Sequence, residues 1–279
     1  MPWVESVSPS FRARFEERDA DEAARVLEQL ERARDRLARH FARVPGELTV
    51  VVHDSGLALS LAQPYLPLAR MVTAPAGRRY LAGWFGAGEL HVLAPRLLRA
   101  RASGVPGSRE LLALTPTAVY ASVVVGANNP ELPPPFTVAS FMRYLRWAWL
   151  AQGAAQYFAG QVEHLRPAIA RRLREGGAPE FPPGVRDAAL LGGTVFDLLA
   201  REEGDAAAAR LAGSLDPDGA HAALIKAFGQ RRLAHTARTW RAHLVRLAGA
   251  TSSEEFGAQP GDDGHEGEGS EHPGEQPAG

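Results

Sequence analysis

Between residues 21 and 42 apolar side chains recur at Ala24, Val26, Leu27, Leu30, Ala33, Leu37 and Phe41, with Arg and Glu between them. That spacing predicts an amphipathic helix ended by Pro45 and Gly46, so the body is expected to start with a helix. The compact β-branched run at 48–52 predicts a buried strand, and 55–62 a short helix. Residues 79–84 and 89–93 read as two strands joined by the turn Phe85-Gly86-Ala87-Gly88, with 97–102 helical after them. The second half is helical. One helix is expected within 109–125, followed by a Pro-rich loop at 126–135. Thr137 can then cap a single long helix through Phe158. Further helices are expected over 162–175, 186–203, 205–214, 220–228 and 234–247. A strand-containing first half and a helical second half make an α+β chain. We divide it into an N-terminal lobe of about 1–106, a helical lobe of about 107–250, and a tail of 251–279.

Composition sharpens this outline. Of 279 residues, 45% are hydrophobic, enough for a sizeable core, and no stretch reads as a membrane span. The N-terminus lacks the basic-then-apolar pattern of a secretory signal, so a cytoplasmic location and no membrane partner are expected. No cysteine is present, which excludes disulfides, thiolate zinc sites and a Cys nucleophile. Lys226 is the only lysine. The Arg-rich remainder reads as codon bias before nucleic-acid recognition, for which no motif is found. The net charge of −1 is unevenly distributed: eight acids and no Lys or Arg fall in 251–279, leaving +7 on the rest. Rich in Gly, Glu, Pro and Ser, the tail cannot bury enough apolar area to offset its ordering entropy and is expected to be disordered.

Two segments carry a family resemblance, residues 149–160 and the C-terminal stretch. Trp149-Leu150-Ala151-Gln152-Gly153-Ala154-Ala155-Gln156-Tyr157-Phe158-Ala159-Gly160 resembles the W-L-x-E-G-x-A-x-Y-x-x-G motif of gluzincin-type zinc metallopeptidases, in particular the peptidase MA-like family. Segments 192–204, 222–229 and 239–244 resemble the helical motifs that close that domain. The resemblance covers roughly residues 20–250. It implies a zincin-like, thermolysin-type fold with a small mixed sheet in the N-terminal lobe. The motif's Glu is the third zinc ligand in the family, and here the position is Gln152.

The zinc chemistry of such enzymes needs two His four residues apart with a Glu beside the first. No H-E-x-x-H occurs in the chain. The favoured register over the preceding helix puts Thr117 and Ala121 at the His positions and Ala118 at the Glu position. A shift of two gives Thr115, Val119 and Pro116 instead. Neither register supplies a ligand or a base, so no metal, no cofactor and no catalytic residue are expected. The resemblance thus implies a pseudopeptidase with a binding or scaffolding role toward an unidentified peptide or protein ligand.

Other residues were weighed for a rebuilt site. His53 with Asp54, His91, and His164 with Glu163 show no ligand spacing and read as surface or locally hydrogen-bonded residues. His235 and His243, beside Arg238 and Arg241, read as a solvated helix face. Phe141, Tyr144, Trp147 and Trp149 with Arg143 and Arg146 read either as core aromatics with outward arginines or as a cleft wall for a peptide or acidic ligand. Tyr120, Arg146, Trp149 and Gln156 are the candidate cleft-binding residues. Two alternatives remain open: a hydrolase with unrecognised chemistry, using Tyr120, Gln152 and Gln156 or a rebuilt metal site, and a partner-binding protein that works through its acidic tail.

Overall fold

The computed structural model describes residues 3–256, with side-chain environments through residue 249. It opens with a hairpin, β1 (Trp3–Val7) and β2 (Phe11–Glu16), and not with the expected helix. Phe11, Ala13 and Phe15 point inward from β2 while Arg12 and Arg14 point out, the period of two that a half-buried strand requires. Helix α1 (Ala20–Leu37) follows, burying Ala23, Val26, Leu27, Leu30, Ala33 and Leu37 along one stripe. It ends earlier than its apolar pattern suggested.

Strand β3 (Leu48–His53) is buried on both faces and pairs in parallel with β2 on one side and β5 on the other. Three short helices come next: α2 (Gly56–Ala62), N-capped by the Ser55 side chain, α3 (Tyr65–Val72) and α4 (Pro75–Arg78). Strands β4 (Gly83–Phe85) and β5 (Glu89–Leu93) are antiparallel neighbours. The sheet is therefore mixed, in the order β1-β2-β3-β5-β4. Gly83 lets β4 lie close to the helices below, because a Cβ there would sit 2.7 Å from Val119 Cγ2 and 2.9 Å from the His91 carbonyl oxygen.

The rest is helical. After α5 (Pro95–Arg101), the helix expected within 109–125 is two helices, α6 (Ser108–Ala113) and α7 (Thr115–Asn128). Helix α7 is buried around most of its circumference, as a helix apolar on all sides must be. The long helix expected over 137–158 is also two, α8 (Val138–Arg146) and α9 (Ala148–Phe158), interrupted at Trp147. The cap at Thr137 is present: its hydroxyl accepts from Ser140 N–H, and Ser140 Oγ accepts from Thr137 N–H in return.

Five helices complete the chain: α10 (Arg166–Glu175), α11 (Val185–Glu203), α12 (Asp205–Ala212), α13 (Ala220–Ala227) and α14 (Leu233–Phe256). Helix α14 runs into the segment read as tail; the remainder of that segment, 257–279, lies outside the described residues.

Helix α7 packs against α1, β4 and α9, and α9 makes the most extensive helix contact among the described residues with α11. That contact depends on glycines. A Cβ on Gly153 would stand 2.6 Å from the Gly192 carbonyl carbon, so the two backbones touch directly. One hydrophobic cluster, from Phe11 to Leu247, joins the sheet to all of these helices. Among the described residues, no helix is long and apolar enough to cross a membrane.

Candidate functional site

Helices α7 and α9 and strand β4 enclose a cavity of about 70 Å³. Gln152 projects into it from α9. Facing it from α7 are Thr115, Ala118, Val119 and Ser122. Trp84 closes the β4 side and Tyr144 the α8 side.

The segment expected to carry the vestigial zinc positions borders the cavity, but only some of its residues line it. Thr117 and Ala121 are fully buried on the opposite face of α7. The Thr117 hydroxyl accepts from Gln29 Nε2 of α1 at 3.0 Å. Of the favoured triplet only Ala118 lines the cavity. In the alternative register Thr115 and Val119 line it, while Pro116 does not. The helical spacing that brings all three positions of the motif to the cavity is Ala118 and Ser122, four apart, with Val119 beside the first. Periodicity alone could not choose this register, because α7 is apolar on every side.

The expected partners of Gln152 are also corrected. It meets neither Thr117 nor Tyr120. Its amide lies beside the Tyr144 hydroxyl, whose pKa burial pushes up and this amide partly restores. Its Oε1 is buried with no hydrogen-bond partner.

The candidate cleft-binding residues separate. Tyr120 is buried in the sheet-side core, edge-on to Phe11 with ring centroids 5.1 Å apart. Its hydroxyl donates to the Pro45 carbonyl at 2.8 Å. Arg146 is exposed and away from the cavity. Trp149 is buried against Phe196 and Trp147 and also lies outside the cavity lining. Gln156 does line it, but both ends of its amide are engaged with α11: Nε2 donates to Ala189 O at 2.7 Å and Oε1 accepts from Gly193 N–H at 2.9 Å. Phe141, Tyr144, Trp147 and Trp149 are all buried, and of the four only Tyr144 reaches the cavity. The one nearby arginine with a defined role, Arg143, donates to the Glu131 carbonyl.

Of the remaining histidines, His53 and His91 are hydrogen-bonded side chains, as one of their two readings expected, whereas His243 departs from its own. His53 and His91, on β3 and β5, are both buried and stacked, with Nε2 of His53 3.0 Å from Nδ1 of His91. Nε2 of His91 lies 3.1 Å from Glu89 Oε2. A carboxylate only accepts, so His91 donates to Glu89 and His53 donates to His91. Burial lowers both imidazoles, His53 to about 4. His243, expected on a solvated face, is buried, with Nε2 2.7 Å from Asp197 Oδ2. Burial raises the Asp197 carboxyl, but His243 and Arg201 outweigh it and hold the group below its ordinary value.

Of the cavity walls, Tyr144 belongs to the aromatic segment weighed as a cleft wall, whereas Trp84 was missed: it comes from a strand far from Gln152 in sequence, and no local pattern marks it as a site residue. Among the described residues, no three His, Asp or Glu side chains gather as a metal site would need. Compared with family models, curated proteins and solved structures, the chain matches none.

Proposed function

We propose that this chain is a zincin-like protein whose catalytic position has become a non-catalytic binding pocket. The reading rests on one observation. Where α7 and α9 face each other, at the place the motif resemblance assigns to zinc, the cavity is lined by Thr115, Ala118, Val119, Ser122 and Gln152, and by no imidazole or carboxylate. A zinc site takes three or four such donors, and its hydrolytic chemistry needs a base beside the bound water. An amide, two hydroxyls and alkyl groups supply neither.

The arrangement of elements supports the family resemblance. A small mixed sheet with an antiparallel edge strand comes first, then two packed helices that bound one cleft with that strand. The role that follows is binding or scaffolding. Metal analysis of the purified full chain, together with peptidase assays in the presence and absence of a chelator, tests it. Substoichiometric zinc and no chelator-sensitive cleavage are expected. One zinc per chain surviving dialysis, or chelator-sensitive cleavage, overturns the reading.

A further inference from the structure

We propose that the cavity between β4, α7 and α9 binds a small uncharged molecule that both donates and accepts hydrogen bonds, of the primary carboxamide class. The proposal rests on the reading of this cleft as a non-catalytic binding site and names what it takes.

Buried polar atoms in folded proteins are almost always paired. Among the described residues, seven buried side-chain polar atoms have no partner, and three of them belong to side chains lining this one cavity: Trp84 Nε1, Thr115 Oγ1 and Gln152 Oε1. These side chains belong to residues only 2%, 4% and 7% exposed, so bulk water does not satisfy them. Other polar groups of the wall are engaged within the protein. Gln156 is held by Ala189 and Gly193, Gln161 Nε2 donates to Leu111 O, and Ser122 donates to Ala118 O. The three orphans are the buried, unpartnered polar atoms that an occupant would satisfy.

Their chemistry defines it. An indole N–H only donates, an amide oxygen only accepts, and a hydroxyl does either. The occupant must therefore carry at least one acceptor and one donor. It must also be neutral. No Asp, Glu, Lys, Arg or His lines the cavity, so a carboxylate, phosphate or ammonium would lose its hydration without gaining a counter-charge. The aromatic and aliphatic walls at Phe85, Leu111 and Val119 favour an apolar stem behind the polar group. At about 70 Å³ the cavity exceeds what one water needs, roughly 10–15 Å³. A primary carboxamide on a short alkyl group meets each of these requirements with a single functional group.

The test uses near-isosteric probes on the full chain. Isobutyramide is titrated while the Trp84 indole N–H resonance is followed, assigned among the five tryptophans by its loss in Trp84→Phe. Isobutyramide should shift this resonance saturably. Isobutyrate and isobutylamine should not. The ketone 3-methylbutan-2-one, which accepts but cannot donate, should bind about tenfold more weakly, the ratio expected for one missing hydrogen bond. Gln152→Leu removes the orphaned acceptor and should weaken isobutyramide by a similar factor, measured at a temperature where the variant is fully folded, because it also takes the amide from beside the buried Tyr144 hydroxyl. If that variant fails to fold, Thr115→Val is the second test and should also weaken binding. No shift of the Trp84 indole, or equal shifts with all four probes, overturns the proposal and leaves a cavity filled by water alone. That outcome would not bear on zinc content or peptidase activity, and a metal found in the cleft would not be mistaken for failure of this titration.

Discussion

Gln156 is joined to the backbone of α11 at two groups one helical turn apart, on Ala189 and Gly193. Its Oε1 accepts from Gly193 N–H at 2.9 Å while its Nε2 donates to Ala189 O at 2.7 Å. Residues 189 and 193 are four apart, so these are the two groups that an unbroken α-helix pairs with each other. The Gln156 side chain of α9 thus clamps one turn of the α11 backbone. Its role in this fold is structural, although the sequence marks it as a cleft residue.

This relationship predicts the effect of Gln156→Glu. A carboxylate can still accept from Gly193 but cannot donate to Ala189, and it places a charge against a carbonyl in a buried site. Urea denaturation at neutral pH should show a loss of about 1–3 kcal/mol. Protonation restores a donor, so the deficit should shrink as the pH falls below about 5. A neutral outcome at pH 7 would show that α11 holds this turn without the glutamine.

Gly153→Ala sets two effects against each other. Alanine is the better helix former by about 1 kcal/mol. The added Cβ, however, would lie 2.6 Å from the Gly192 carbonyl carbon and oxygen, which are backbone atoms that cannot rotate away. Overpacking of this kind costs about 1–3 kcal/mol or more. The variant should melt below the wild type in a calorimetric scan, and a higher melting temperature would mean that the two helices separate easily.

The α7 residues that line the cavity make a prediction about zinc. The combination Ala118→His, Val119→Glu, Ser122→His and Gln152→Glu places two imidazoles and two carboxylates around the cavity. It should gain zinc-dependent thermal stabilisation and a stoichiometric site by titration. The combination Thr117→His, Ala118→Glu, Ala121→His and Gln152→Glu should not, because Thr117 and Ala121 face away from Gln152. Equal zinc binding by both would contradict this placement of the α7 residues.

The His53–His91 pair predicts a pH dependence of stability. Folding lowers the His53 pKa to about 4 from 6.5, so the unfolded chain binds more protons in between. Stability contributed by neutral His53 is therefore fully present above about pH 6.5 and lost as the pH falls toward 4. The difference amounts to about 3 kcal/mol at pH 4. His53→Gln keeps a donor for His91 Nδ1 and should flatten the curve in this window. Denaturation profiles of the two proteins from pH 7 to 4 that run parallel would refute the assignment.

Much of the fold could be read from the chain, and the misses have physical causes. Strands β3 and β5 and the Thr137 cap follow from runs and residue types that act locally. The β1–β2 hairpin was also written locally, in the alternation of Phe11, Ala13 and Phe15 with Arg12 and Arg14, but two arginines among so few residues resemble a helix face. The interruption at Trp147 leaves no Gly or Pro to announce it. It arises where α8 turns its aromatics onto Trp84 and Phe136 while α9 turns onto α11. Gln152 stood out in the sequence through the segment that resembles a motif, and it does line the cavity. That Trp84 and Thr115 share its cavity, each with an orphaned atom, is a property of the assembled helices and strand, and no window of sequence contains it.

The contact between Gly153 and Gly192 acts as a fixed gauge. Two bare α-carbons set the spacing of α9 and α11, and any side chain at either place would enlarge it. Gln152, next along α9, therefore stands on a wall that cannot recede. Descendants of this chain can resize the chamber only from its other sides, by exchanging Ala118, Val119 or Ser122 on α7 or Trp84 on the sheet. Selection for a larger or smaller guest would leave its record at those positions, while the paired glycines stay as they are.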